Sequence, residues 1–387
     1  MDRQTKIMLL ALFCVSCGSK PAPSPIVSLP AQPQQAGAQP QARIGAFAVP
    51  IPPEKPKEPI THEAEVLIPR AQEVSLAVAS PQKDEIFVLA PTSKDTYGGT
   101  FFVVRLDSTE KQVEEVMGGM NLTQPDAPVW SPDGETAYFT FDTEKYRHPE
   151  SAYHHGLFAW DRATGKVTQI VKDSIGGLAL SADGALAAFW DYSTGDQLTV
   201  YNVKMKQVVR TWRGQVHHED DLVFTDLAFT PDGKSLLARL YAPDEFAVLQ
   251  YDIESGKISP FAKDVQSLVT VGDSIYLLQF VPVPFTMPEN PHKLTKWTAG
   301  NAEPATVLED FHYERLSGNA NGSLLGESAE GYSRGTAIYD PKTDQIQTAG
   351  TSCSRAVVIS SGKILYIFGK EFVADARVCS GPPSKRN

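Results

Sequence analysis

The feature that most constrains this fold is a chain reversal that recurs along most of its length. In VWSPDGETAYFTF (129–141), LALSADGALAAFW (178–190) and LAFTPDGKSLLARLY (227–241), an apolar stretch runs into a tight turn and a second apolar stretch follows. Pro132 and Pro231 preset φ for the turn, Asp133 and Asp232 can bond nearby backbone, and Gly134 and Gly233 supply the freedom to reverse the chain. Each copy is therefore expected to be a β-hairpin. Weaker copies with the same grammar occupy 76–90, 267–280, 317–327 and 357–368.

Between these lies a second kind of hairpin: FAWDRATGKVTQI (158–170), VYNVKMKQVV (200–209), LQYDIESGKISPF (249–261) and AIYDPKTDQIQ (337–347). Here an aromatic residue and an Asp or Asn precede the turn. Two hairpins make four antiparallel strands per unit. Equivalent first turns fall at Pro81, Pro132, Ala182, Pro231, Gly272, Ala320 and Ser361, at spacings of 51, 50, 49, 41, 48 and 41 residues. Four-stranded sheets repeated at this period are the blades of a β-propeller. The expectation is an all-β fold: a seven-bladed β-propeller of four-stranded antiparallel blades. The last unit has room for only three strands, so the N-terminal strand EAEVLI (Glu63–Ile68) is expected to complete it and seal the ring. An open β-sandwich or two smaller β domains are the alternatives, and neither predicts a near-constant period.

Ser-Pro-Asp-Gly between apolar strands, followed by aromatic-Asp-x-x-Thr/Ser-Gly-Lys, resembles the PD40 or TolB-type repeats of bacterial periplasmic propellers, over roughly residues 62–380. The resemblance implies the architecture and leaves the activity open, because the motif residues build turns and propellers host many functions.

Residues 1–16 read as a signal peptide. Arg3 and Lys6 precede the apolar run Ile7–Val15, which is far shorter than the ~20 residues that span a bilayer. The following Val-Ser-Cys-Gly-Ser resembles the lipobox of bacterial lipoproteins, which implies acylation of Cys17 and a membrane anchor. Gly18 after Cys17 resembles outer-membrane sorting. Cys14 stands where that family usually has Leu, and simple cleavage to a secreted chain is the alternative. Residues 17–60 form the lipidated Cys and a tether: residues 18–60 hold 11 of the 29 prolines, interleaved with Gln and Ala, and cannot bury enough apolar surface to fold. The β-propeller then occupies 61–387. In an exported chain the remaining thiols, Cys353 and Cys379, are expected to pair as a disulfide, with two unpaired buried thiols as the alternative. Such a bridge would stabilise by roughly 3 to 4 kcal/mol on the chain-entropy model.

A net charge of −11 has the wrong sign for wrapping a phosphate backbone, so no nucleic-acid partner is expected. No catalytic residue and no cofactor are called for. The single Gly-x-Ser-x-Gly (331–335) sits between two strands, whereas a nucleophile elbow must join a strand to a helix. Six of eight histidines fall in predicted inter-strand loops with acidic neighbours: His148, His154, His155, His217, His218 and His292. His154 and His155, together with His217, His218, Glu219, Asp220 and Asp221, belong to loops expected on one common face. Phe285 and Met287 stand out in a proline-rich insertion there, either as apolar anchors for a partner or packed onto the fifth blade. Imidazole beside carboxylate suits a divalent metal, although adjacent residues of an extended chain point to opposite sides. No metal is assigned on this ground. Two functions remain. The first is a monomeric, lipid-anchored, non-enzymatic interaction or scaffold module of the cell envelope, its acidic rim steering a basic protein partner. The second is a metal-dependent hydrolase or lactonase with its site at the channel mouth.

Overall fold

A computed structural model of the chain describes residues 65–66, 74–91, 98–106, 112–121, 127–142, 155–172, 175–191, 197–213, 226–242, 245–281, 292–299, 304–309, 311, 313, 315–318, 322–327, 336–349, 355–368 and 371–373. These build a β-propeller of four-stranded antiparallel blades. Six blades each use four consecutive strands, within residues 76–121, 129–171, 175–212, 227–263, 265–308 and 315–349. In a C-terminal sheet, Arg355–Val358, Ile364–Phe368 and Glu371–Val373 are joined by Glu65–Val66. Among the described residues that last pairing joins Glu65 with Phe372 and Val66 with Glu371; the rest of the expected strand, 63–64 and 67–68, lies outside them. No helix among the described residues is long and apolar enough to cross a membrane.

The second strand of the first blade, Glu85–Pro91, shows why this sequence stacks sheets. Every side chain in it is buried, and from Ile86 onward both faces are apolar. Ile86, Val88 and Ala90 turn toward Val357, Ile359, Leu365 and Ile367 of the C-terminal sheet. Phe87 and Leu89 turn the other way, toward Trp130, Ala137 and Phe139 of the second blade. A strand covered on both sides loses the usual polar alternation, and a cluster of this kind fills each junction between neighbouring sheets. The junction of blades one and two is the most aromatic: Phe87 lies 5.4 Å from both Phe101 and Phe139, and Trp130 meets Trp160 edge-on at 6.0 Å.

The first turns form as their sequence demands. Ser131 Oγ donates to Asp133 Oδ1 at 2.5 Å and accepts from the Thr136 N–H at 2.9 Å, while Asp133 also accepts from the Glu135 N–H. Ser181 with Asp183 and Thr230 with Asp232 repeat the clasp. Gly134 adopts φ 69° and Gly184 φ 67°. Their missing side chains matter twice, because a Cβ at Gly134 would lie 2.9 Å from Ser80 Oγ and one at Gly184 would lie 2.7 Å from Pro132 Cδ. Successive turns thus stack on one another around that end of the molecule.

The outermost strands hold a feature that the sequence pattern did not announce. In five blades an extra residue bulges from the fourth strand, at Val116, Ile170, Val209, Phe261 and Val307, and the first blade carries a second bulge at Gly119. A bulge bends the strand and re-aims a side chain. Four of these residues pack onto the core shared with the next blade.

Candidate functional site

The innermost strands of the six consecutive-strand blades enclose a central cavity of about 770 Å³. Each contributes apolar side chains to its wall, among them Val78, Val129, Leu178, Leu227, Val269 and Leu316. Polar groups clasp one inner strand to the next. Trp130 Nε1 donates to the Val78 carbonyl (3.2 Å), Thr270 Oγ1 to the Phe229 carbonyl (2.6 Å), and the Leu316 N–H to Ser267 Oγ (3.1 Å). The wall is therefore rigid and largely non-polar, with charge at its ends. Asp226 and Arg315 stand where inner strands begin, and Lys342 lies in a turn. Asp226 Oδ2 accepts from the Leu268 N–H at 3.2 Å and lies 3.7 Å from Arg239 Nε.

Strand alternation puts the start of every inner strand at the same end as the passage from second to third strand. His155 opens a third strand there, half-buried and opposite Asp142, and its carbonyl accepts from Gln169 Nε2 at 2.8 Å. His292, expected in a loop, is instead the buried first residue of the strand His292–Thr298, its ring 4.9 Å from that of Phe280. The expectation failed because the apolar ladder continues to this position, Leu294 pairing with Leu278 and His292 itself with Phe280. His154, His217, His218, Glu219, Asp220, Asp221, Phe285 and Met287 lie outside the described residues, as do His148, Cys17, Cys353, Cys379 and residues 331–335. Among the described residues, no group of three His, Cys, Asp or Glu side chains gathers in a metal-binding arrangement.

Two polar clusters escaped the sequence reading. Near the loop end of the third blade, Gln197 Nε2 donates to the buried Asp191 at 2.7 Å, and Arg213 Nε donates to Gln197 Oε1 at 3.1 Å. At the opposite end Glu85 is fully buried, and Arg162 grips it through Nε (3.0 and 2.9 Å) and a terminal nitrogen (2.6 Å), joining the second blade to the first. Arg105 Nε lies 3.4 Å from the same carboxylate. Both clusters join residues far apart in sequence or across a strand pair, so no local motif reveals them.

Apart from Asp84, which links two sheets, the carboxylates among the described residues whose ionised form is favoured are turn-builders. The Ser131 hydroxyl and the Glu135 N–H hold Asp133 below the usual carboxylate range; the Ser181 hydroxyl and the Ala185 N–H do so for Asp183. Thr164 and Ser255, each through its hydroxyl and then its N–H, act likewise on Asp161 and Asp252. At Asp84 burial pushes the other way, but the Ser360 hydroxyl and the Ser361 N–H outweigh it. Burial alone drives Tyr251 above the ordinary tyrosine range. In active sites such displacement marks groups poised for chemistry. In these turns it marks hydrogen bonds that close loops.

No family model matches the sequence, and no curated protein matches it. Solved structures do share its fold. The β-propeller domain of the Trilobed protease from Pyrococcus furiosus, described as having an open velcro topology, superposes with a TM-score of 0.52 at 13% identity, covering 79% of this chain and 98% of that one. A chain of the Mitotic Checkpoint Complex gives 0.52 at 13% identity, covering 83% and 97%. TolB from Acinetobacter baumannii gives 0.45 at 14% identity, covering 71% of this chain and 62% of that one. At these identities the first two show a likeness of fold alone.

Proposed function

We propose that this chain is an exported, membrane-tethered β-propeller that works as a non-enzymatic protein-interaction or scaffold module of the cell envelope. In this reading residues 1–16 are removed, Cys17 carries the lipid, and residues 17–60 hold the propeller away from an outer membrane. The propeller is a seven-bladed ring whose C-terminal sheet is completed by Glu65–Val66. The pairing of Glu65 with Phe372 and the apolar cluster joining Val88 to Val357 support closure. The acidic loop end, with Glu219, Asp220 and Asp221, steers a basic partner protein, and Phe285 and Met287 serve as apolar anchors.

The observation that carries the functional reading is the division of labour among the described side chains. Displaced carboxylates are engaged in turns, while the central wall is apolar and clasped strand to strand. That is the construction of a rigid display frame. Affinity capture from envelope extracts with the full chain tests it. Wild type should retain a basic partner that the triple variant Glu219→Lys, Asp220→Lys, Asp221→Lys loses. Capture indifferent to that reversal would reject the acidic face. Stoichiometric metal in the purified protein, lost in His217→Ala, would move the reading to a metal-dependent hydrolase.

A further inference from the structure

The outermost strand of a blade presents a row of N–H and C=O groups with no neighbouring strand, and such an edge has to be guarded or used. In the first blade Glu114 and Glu115 occupy it; in the fourth, Pro260 does. The third blade ends in Gln207–Trp212, which, like the fourth strands of the second, fifth and sixth blades, contains neither a carboxylate nor a proline; what sets it apart is its exposed apolar surface. Its bulge residue, Val209, is also the exception among the five. Val116, Ile170, Phe261 and Val307 pack onto the following blade, whereas Val209 is 41% exposed. The cause is visible. Arg210 Nε donates to the Ile253 carbonyl and Trp212 Nε1 to the Gly256 carbonyl, both at 3.0 Å. These two residues occupy the surface that the bulge covers elsewhere. Val208 and Met205 beside it are 58% and 61% exposed. Three of the five large apolar side chains exposed among the described residues thus fall within five consecutive positions.

We infer that this edge is an interaction surface, and that it takes an extended segment of a partner protein as an added strand. Charge fixes the chemistry of that segment. In a chain of net charge −11, residues 203–212 carry Lys204, Lys206 and Arg210 and no carboxylate. The complementary segment alternates apolar with acidic side chains: backbone pairing supplies affinity and the lysines select the sign of charge. The partner here is acidic, whereas the loop end proposed above seeks a basic one, so the two surfaces fail or succeed separately.

The test uses the full chain and a short labelled peptide alternating valine and glutamate, followed by fluorescence anisotropy. Comparison peptides replace glutamate with lysine or carry N-methyl groups on alternate amides. Val208→Thr with Val209→Thr keeps the β-branching that suits a strand while removing apolar surface. Lys204→Gln with Lys206→Asn removes charge while respecting the left-handed backbone at Lys206 (φ 53°). Wild type should bind the glutamate peptide with salt-sensitive affinity and ignore both comparison peptides. Each double variant should bind it roughly tenfold more weakly. Thermal melting should show the variants as stable as wild type. Absence of binding by wild type overturns the inference, as does equal binding by the variants or by the N-methylated peptide. Sedimentation showing the chain dimerising through this edge, with the threonine pair abolishing it, would replace the partner by a second copy and also overturn it.

Discussion

Asp183 accepts a hydroxyl proton from Ser181 and the Ala185 N–H, and the same clasp recurs at Asp133 and Asp232. Replacing Asp183 by alanine should cost about 1 kcal/mol, a modest value because water screens the turn. Its folded-state pKa is lowered, so its contribution is present above the unfolded value of about 3.9 and disappears as pH falls through the folded one. Denaturant titrations of wild type and Asp183→Ala should therefore converge in acid; a difference that persists there would reject the assignment. The equivalent Asp133 and Asp232 were legible because their partners lie two positions away on either side. Glu85 was not, because Arg162 reaches it from the next blade and nothing in EIFVLAP marks its first residue as buried. Glu85→Gln should destabilise by about 3 kcal/mol, since it removes the charge of a fully buried carboxylate held between Arg162 and Arg105. A loss under about 1 kcal/mol would mean the pair is dispensable.

Among whole elements, hairpins were legible and the departures from them were not. Turn residues at a fixed period identify strand pairs, and the apolar second strands identify sheets covered on both faces. A bulge adds one residue without breaking the apolar pattern: Ile170 followed by Val171 reads equally well with or without it. The bulges nevertheless lock blade to blade, and Phe261 meets Trp297 edge-on at 5.5 Å. Phe261→Ala should cost about 2 to 3 kcal/mol, whereas Val209→Ala, at the equivalent but exposed position, should stay within about 0.5 kcal/mol. Chemical denaturation of the two variants checks the contrast. Equal losses would mean that the bulge residues are not what joins the blades.

For the molecule as a whole, one sequence could suggest a ring but not its interior, because the channel wall takes a strand from each of six blades. It did point to an N-terminal strand joining the last unit, but not to the side chains that link the first and last sheets. Besides the pairing of Glu65–Val66, Asp84 Oδ1 in the first blade accepts from Ser360 Oγ at 2.7 Å and from the Ser361 N–H at 2.8 Å. Asp84→Ala should cost about 1 kcal/mol and loosen the C-terminal sheet before the others. The proposed closure is tested most directly by amide hydrogen exchange on the full chain, read at Arg355–Val373 against the second to fifth blades. A sealed ring predicts protection of the C-terminal sheet comparable to theirs, reduced selectively by Asp84→Ala and by deletion of Glu65 and Val66. Free exchange across that sheet in wild type, with the other blades protected, would show that the ends do not hold each other.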